Sequence, residues 1–323
     1  MPGSRILVTG GAGFIGRWVV AELLGRTEPE HGVVVLDNLS NGSPENLEEF
    51  RDHPRFVEFV QGDIRDTATM RALFARHEFS TVFHLAARIN VQDSIDNPRD
   101  VFDADVAGTF ELLELCREFS ARFVFTSTCM VYDRCISPDG IRESDPVKPA
   151  SPYAGAKLAG EDLALSYFHA YGLPVVVLRP FNTYGPFQKS SGEGGVIAIF
   201  CKAALGGSEL RIYGDGTQTR DFLYVEDCAR FIVLAGFDPR AEGRVLNAGS
   251  GADVTINELA DLVSAGRASI VHVPHIHPQS EIMKLRCDAS FVRSLLGFTP
   301  CVDLAEGIVR TSEWIAARLA RTS

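Results

Sequence analysis

Tyr153 and Lys157 lie four residues apart in a stretch that reads as a helix, so both side chains leave the same face. A phenol ordinarily ionises near pH ~10 and is a poor base at neutrality. A cation held one helical turn away favours the phenolate and brings that value towards a useful range. Thr128, 25 positions before Tyr153, follows the apolar run Arg122 to Phe125, which reads as a buried strand. Its hydroxyl can share a proton with the phenol. Such a trio is equipped to take a proton from a secondary alcohol while something else accepts hydride. A packed helical Tyr beside a solvated Lys is the plainer reading, and Tyr-x-x-x-Lys is frequent by chance. The rest of the chain has to decide.

The helix carrying the pair has a start signal in Ser151, a suitable N-cap, and Pro152, whose missing N–H costs nothing at the first helical position. At the other end of the chain, Arg5 to Thr9 reads as a buried strand. Gly10-Gly-Ala-Gly13-Phe14-Ile15-Gly16 follows, then an apolar-periodic helix to about Leu24. In a dinucleotide site Gly10 allows the tight turn, Gly13 lets the backbone approach the pyrophosphate, and Gly16 permits close helix–strand packing. A second strand, Val33 to Asp37, places an acid 21 residues after Gly16, where a carboxylate accepts hydrogen bonds from ribose hydroxyls. No Arg follows within Asn38 to Gly42 to receive a 2′-phosphate, which favours NAD over NADP. Asp37 as an ordinary turn residue at a strand end is the alternative.

Phe56 to Val60 reads as a third strand, ending in Gly62-Asp63-Ile64, whose Asp and Ile could flank an adenine. Thr81 to Ala87 is a fourth, with small residues that let the backbone pass close to a cofactor. His84 on that apolar strand fits a satisfied core histidine better than a catalytic one. A helix is expected from about Pro98 to Phe119, and further strands at Leu173 to Pro180 and Val245 to Ser250. Strands alternating with helices imply an α/β fold of Rossmann type, a doubly wound parallel sheet, with a smaller interleaved C-terminal α/β domain. The expected division is 1–180 plus about 222–250 for the dinucleotide domain, and 181–221 with 251–323 for the substrate domain.

A net charge of −11 without a Lys/Arg-dense stripe argues against nucleic acid as a partner. No apolar run approaches a membrane span, and the first strand begins too early to leave room for a signal peptide. Seven Cys without paired spacing read as reduced thiols, so a cytoplasmic enzyme is expected. Lys189 to Gly195 is a polar, Gly-rich loop that could close over a ligand. Val271 to His277 carries three His, but no Cys or carboxylate completes a ligand set at usual spacings, so no metal is expected.

Taken in order, these segments resemble the extended short-chain dehydrogenase/reductase family in its nucleotide-sugar epimerase/dehydratase branch. The resemblance rests on Gly10 to Gly16, Asp37-Asn38, Gly62 to Ile64, His84 to Ala87, Ser127-Thr128, Tyr153/Lys157, Arg179 to Asn182, Tyr184 to Pro186 and Arg220 to Phe222. It implies NAD held by Gly10, Gly13, Phe14, Ile15, Gly16, Asp37, Asn38, Asp63, Ile64, Leu85, Ala86, Ala87, Tyr153, Lys157 and Pro180. It implies a UDP- or dTDP-hexose touched by Arg88, Thr128, Asn182, Tyr213 and Arg220, the last gripping the diphosphate. The implied opening step oxidises the sugar at C4: Tyr153 is the base, Thr128 assists, and Lys157 holds the nicotinamide ribose. The implied assembly is a homodimer packed through Pro98–Phe119 and Ser151–Tyr171.

The residues after Thr128 choose between fates of the 4-keto sugar. The 4,6-dehydratases carry Asp-Glu there, and decarboxylases commonly Ser-Glu. Here Cys129-Met130 supplies no carboxylate, which leaves 4-epimerisation as the simplest chemistry. Cys129 keeps a second outcome open, as an acid for a 4,6- or 5,6-elimination; as a small buried thiol it would have no such role. A catalytically silent NAD-binding scaffold is the remote alternative. Four departures from the family pattern stand out: Asp105 in place of Asn, Asp133 in place of Gly, Phe187 where uronate-handling relatives often have Arg, and His277 to Glu281 in place of Arg-Pro-Gly-Asp.

Overall fold

The early strands are runs of Val, Ile, Leu and Phe buried on both faces, as a parallel sheet covered by helices demands. The computed structural model describes residues 4–26, 31–133, 135, 137–190, 195–275 and 282–322. In chain order the first elements are β1 (Arg5–Thr9), α1 (Phe14–Gly25), β2 (Gly32–Asp37), β3 (Phe56–Gln61), α2 (Thr67–His77), β4 (Phe79–His84), α3 (Val91–Asp96), α4 (Pro98–Val101), α5 (Gly108–Phe119), β5 (Arg122–Thr126), α6 (Pro152–Tyr171) and β6 (Val175–Pro180). They are followed by β7 (Asn182–Tyr184), α7 (Val196–Leu205), β8 (Leu210–Tyr213), β9 (Thr219–Tyr224), α8 (Val225–Phe237), β10 (Arg244–Ala248), β11 (Asp253–Thr255), α9 (Ile256–Ser264), β12 (Ile270–Val273), β13 (Lys284–Leu285), α10 (Ser290–Leu296) and α11 (Leu304–Thr322).

The chain forms two compact units: Met1–Val131 with Ser151–Arg179 and Ala229–Leu246, and Tyr132–Ala150 with Pro180–Cys228 and Asn247–Ser323. The first unit is built on a seven-stranded sheet of order β10-β6-β5-β4-β1-β2-β3. Pairing from β3 through to β6 is parallel. The reversal of order beside β1 is the switch point at which such sheets bind ligands, beyond the carboxyl ends of the strands. Leu7, Val34, Leu36, Val82, Phe123 and Val175 form one side of its core with Leu112, Leu113 and Cys116 of α5.

The helix expected over Pro98 to Phe119 is present with an interruption: Phe102–Ala107 is π-helical, between α4 and α5. The wider turn buries Ala104 and Asp105. Helix α3, which precedes Pro98, was not expected.

The second unit pairs β11 with β9 and β13, β7 with β9, and β12 with β8. Its core gathers Tyr184, Phe200, Leu210, Ile212, Leu259 and Ile315. The division differs from the expected boundaries at Tyr132–Ala150, Pro180, 222–228 and 247–250, all of which fall in the second unit. Tyr132–Ala150 belongs here because Tyr132 Oη donates to Asn247 Oδ1 at 2.7 Å and Asn247 Nδ2 donates to the Ile141 carbonyl at 3.1 Å. Residues 222–228 belong here because β9 continues to Tyr224, and Asp227 Oδ2 then accepts the Cys301 and Val302 N–H groups at 2.8 and 2.9 Å.

Asp221 is the polar centre of this unit. Fully buried, its carboxylate accepts from Ser250 N (2.6 Å), Ser250 Oγ (2.7 Å), Gly251 N (2.9 Å) and Cys287 N (3.0 Å). Removing it strands donors that water cannot reach. Asp221→Ala is expected to lower stability by about 3 kcal/mol, read as a shifted urea midpoint; an unchanged midpoint would show that the loop holds without it.

Candidate cofactor and catalytic site

At the first glycine turn the backbone leaves no room for side chains. Gly10 has φ +72°, and a Cβ there would stand 2.7 Å from Ala86 N; one at Gly16 would stand 2.1 Å from the Gly10 carbonyl oxygen. Gly13 caps α1, so the free N–H groups of that helix open towards the turn. The turn is braced by side chains. Asp37 Oδ2 accepts the Ala12 N–H at 3.0 Å and Oδ1 the Leu39 N–H at 2.8 Å. Asn46 Nδ2 donates to the Ala12 carbonyl at 2.8 Å, and the buried Arg17 donates through Nε to the Asn46 carbonyl at 3.2 Å. Burial raises the Asp37 carboxyl above its usual range, against the pull of these N–H donors.

A pocket opens beside the turn, lined by Gly10, Gly13 to Gly16, Asp37, Asn38, Gly62 to Ile64, Leu85 to Ile89, Thr126, Ser127, Tyr153 and Lys157. Asn38 Nδ2 donates to Asp63 Oδ2 at 2.8 Å, and Arg65 holds the same carboxylate through Nε (2.9 Å) and Nη2 (2.8 Å). That guanidinium, ahead of the other donors, keeps Asp63 well below the usual carboxylate range. Every residue expected at the cofactor lines this pocket except Pro180, which ends β6 and is not part of the wall. A glycine cradle that any Cβ would fill, a helix N-terminus and an acid at the end of β2 fit a dinucleotide.

The catalytic end depends on α6. Ser151 Oγ accepts the Ala154 N–H at 3.2 Å, Pro152 starts the helix, and Gly172 (φ +67°) ends it. Tyr153, Lys157 and Glu161 follow at four-residue intervals along one face. Gly160 lets the helix close on β5, since a Cβ there would stand 2.6 Å from the Phe125 ring. Lys157 is 3% exposed, with Nζ 4.5 Å from the centre of that ring. Glu161 is clamped by Arg179 Nε at 2.9 and 3.1 Å to its two oxygens, by Arg179 Nη2, and by the Ser127 hydroxyl. Glu161 and Arg179 thus fasten α6 to the ends of β5 and β6. Nothing local in the sequence announces this pair, although Glu161 stands one turn beyond Lys157 on the same face. Gly160, Asn46 and Arg17 were likewise missed; nothing in their spacing marks them.

Thr128 hydrogen-bonds the Tyr153 phenol, and its Oγ1 accepts the Met130 N–H at 3.2 Å. One expectation is corrected. Tyr153 is not brought below its ordinary value by the lysine; burial first, then the Asp105 carboxylate, push it above, and the Thr128 contact opposes them. Lys157 itself is pulled down by burial and pushed up by Asp105 and Glu161, so its charge is matched by two carboxylates. His84 is the satisfied core histidine expected. Its Nδ1 lies 2.7 Å from Thr9 Oγ1 and its Nε2 3.0 Å from Thr109 Oγ1, and burial takes it down to about 3, so it stays neutral.

Cys129 is 3% exposed, in the short turn Cys129–Val131 after β5. Arg88, expected at the sugar, lines the pocket with its Nε 2.8 Å from Asp100 Oδ2. The other three expected substrate residues lie in the second unit. Asn182 stands on β7 opposite Phe222, Tyr213 on β8 is 44% exposed, and Arg220 Nη1 donates to the Thr219 and Ile282 carbonyls, each at 2.8 Å. Of the three clustered His, His272 Nε2 is 3.0 Å from Asn257 Oδ1 and His275 packs near Tyr213. His277, with the rest of 276–281, lies outside the described residues, as does 191–194 of the Gly-rich loop. No helix among the described residues is long and apolar enough to cross a membrane.

Known proteins resemble the chain over nearly its whole length. A UDP-glucose 4-epimerase of Mycolicibacterium smegmatis is 40% identical over 316 residues, 96% of this chain and 98% of that protein. A dTDP-glucose 4,6-dehydratase of Streptomyces niveus is 38% identical over 320 residues, 96% of this chain and 92% of that one. The X-ray structure of Pal from Bacillus thuringiensis superposes with a TM-score of 0.95 at 54% identity, covering 97% of this chain and 99% of that chain. The model of the NAD dependent epimerase/dehydratase family matches residues 6–249, from the first strand through the last strand of the large sheet. An extended short-chain dehydrogenase/reductase of the nucleotide-sugar branch is therefore what the glycine turn and α6 have built: the chain belongs to the NAD-dependent epimerase/dehydratase family, and NAD is its cofactor.

Proposed function

We propose that the protein is a nucleotide-sugar 4-epimerase acting on a UDP- or dTDP-hexose through a transient 4-keto sugar. The observation that carries the reading is the placement of Tyr153 and Lys157 on the wall of the pocket of the glycine turn, with Thr128 bonded to the Tyr153 phenol, Cys129-Met130 after Thr128 and no carboxylate in either position. In this reading Gly10 to Gly16 take the pyrophosphate and Asp37 the adenosine ribose. Bound NAD supplies a hydride acceptor and donor. Tyr153 removes the proton from the sugar 4-hydroxyl and later returns it, Thr128 steadies that proton through its hydroxyl, and Lys157 keeps positive charge beside the phenol. Return of hydride to the opposite face of the sugar needs no further acid or base.

A second reading, a 4,6- or 5,6-dehydratase, is favoured by one observation. Cys129 is a buried thiol directly after Thr128, the position at which the 4,6-dehydratases carry an acid. Incubation with UDP-glucose, UDP-N-acetylglucosamine and dTDP-glucose separates the two. The epimerase gives a product of unchanged mass and new configuration at C4 by NMR; a product lighter by one water sinks it in favour of the lyase. Tyr153→Phe is expected to cut turnover about 10³-fold with the circular dichroism spectrum retained. Turnover that survives in this variant removes Tyr153 as the base.

A homodimer through the helices of the first unit completes the proposal. Ile95, Phe102, Phe110 and Tyr171, on α3, the π-helical segment, α5 and α6, are 38, 52, 41 and 61% exposed. Apolar side chains gathered on neighbouring helices suit a self-complementary face. Light scattering is expected to give twice the chain mass for the native protein and the single mass for Phe102→Glu; a native protein that already runs as a monomer ends this part of the proposal.

A further inference from the structure

Two walls of the cofactor pocket come from strands that are not neighbours. The sheet order puts β1 and β2 between β4 and β3. The carboxyl ends of β3 and β4 therefore lie roughly 14 Å apart, at three strand spacings. Asp63 and Ile64 follow β3, Leu85 to Ile89 follow β4, and both segments line the pocket. The Gly62 N–H reaches the Asp37 carbonyl and the Leu85 N–H the Thr9 carbonyl, each at 3.1 Å. Past these bonds side chains must hold the walls.

A continuous run of charge-assisted hydrogen bonds does so. Arg65 grips Asp63 with Nε at 2.9 Å to one oxygen and Nη2 at 2.8 Å to the other. Its Nη1 donates to Asp100 Oδ1 at 3.1 Å. The second oxygen of Asp100, Oδ2, meets Arg88 Nε at 2.8 Å. The Arg88 N–H is in turn accepted by the buried Asp105 Oδ1 at 2.8 Å. At the far end Asn38, after β2, donates Nδ2 to Asp63 Oδ2 at 2.8 Å. Asn38, Asp63 and Arg88 line the pocket, while Arg65 and Asp100 are not part of its wall. Asp100, on α4, thus gives one carboxylate oxygen to each side. Asp103, three positions on, pairs instead with Arg99 of its own helical stretch at 2.9 Å.

We propose that Asp100 is a positioning residue for the cofactor, which fixes the Asp63 and Arg88 walls against each other and so slows the departure of NAD. The inference rests on the NAD site and not on the fate of the sugar. A ligand between pinned walls leaves when the walls part, and such differences show mainly in the dissociation rate. Walls set in advance also lower the ordering cost of binding. An isolated surface pair contributes little, but here the Arg65 fork is bidentate and both Asp100 oxygens are engaged, so the four side chains act as a network. All four are partly exposed, so dissolved salt screens the links.

The test follows release of labelled NAD from the loaded protein, chased with excess unlabelled NAD. Asp100→Asn keeps the shape of the side chain and removes the charge that both arginines share. Release is expected to be about fivefold faster than from the native protein at low salt. The two rates are expected to converge at about 0.5 M salt, where the native links are screened. Asp100→Glu, which keeps the acid, is expected to bring release back near the native rate. Asp103→Asn, outside the network, is expected to leave it unchanged. Equal release from the native protein and Asp100→Asn at low salt overturns the proposal, and so does the same acceleration in Asp103→Asn. If Asp100→Asn does not fold, Arg65→Gln breaks the network at the next link, and native-like release there overturns the proposal equally.

Discussion

A lysine ammonium almost sealed from water is the constraint around which the first unit is arranged. Lys157 sits over the Phe125 ring, where an isolated charge would lose its hydration with little return. The sequence around it answers in two steps. Glu161, one turn along α6, is neutralised by Arg179 of β6 and tied to Ser127 at the end of β5. Asp105, from the π-helical segment, supplies the remaining negative charge. The Glu161 contacts fasten α6 to the ends of β5 and β6, and with it Tyr153. Packing and electrostatics are therefore one problem here. Gly160 allows the close approach to β5, and the close approach is what removes water from Lys157.

At the cofactor end the same economy applies to backbone groups. Asp37 was read as a ribose acceptor, yet in the folded chain it already accepts the Ala12 and Leu39 N–H groups. Asn46 and Arg17 continue the chain of contacts from the Ala12 carbonyl into the turn after β2. The glycine turn is thus rigid before any ligand arrives, which lowers the ordering cost of binding. The carboxylate also keeps a negative charge beside β2, unfavourable to a cofactor with an extra phosphate there.

Much of this was legible in the residues themselves, because spacing along one helix or strand survives folding. The turn from β1 to α1, the acid ending β2, the buried His84 and the Tyr153/Lys157 face are all local patterns. What escaped is long-range. Phe102–Ala107 has the same apolar and acidic residues whether the helix is α or π, so periodicity cannot reveal the wider turn. Strands β7, β11 and β13 contain only two or three residues each, too few for alternation to register. The assignment of Tyr132–Ala150 to the second unit depends on Asn247, more than a hundred positions away. The direction of the Tyr153 shift needed the position of Asp105, 48 residues upstream, and a measure of burial.

The energetics of Asp105 follow from its burial. With its folded-state value raised to about 6, the neutral acid suits the fold and the carboxylate does not. Its contribution to stability is complete below the unfolded-state value near ~4 and is lost as pH rises through about 6, on the order of 3 kcal/mol in all. At neutral pH the native state therefore carries this carboxylate against a standing cost, which the Lys157 ammonium offsets only in part. An asparagine would make the Arg88 contact with no such cost, so hydrogen bonding gives no reason to keep the acid.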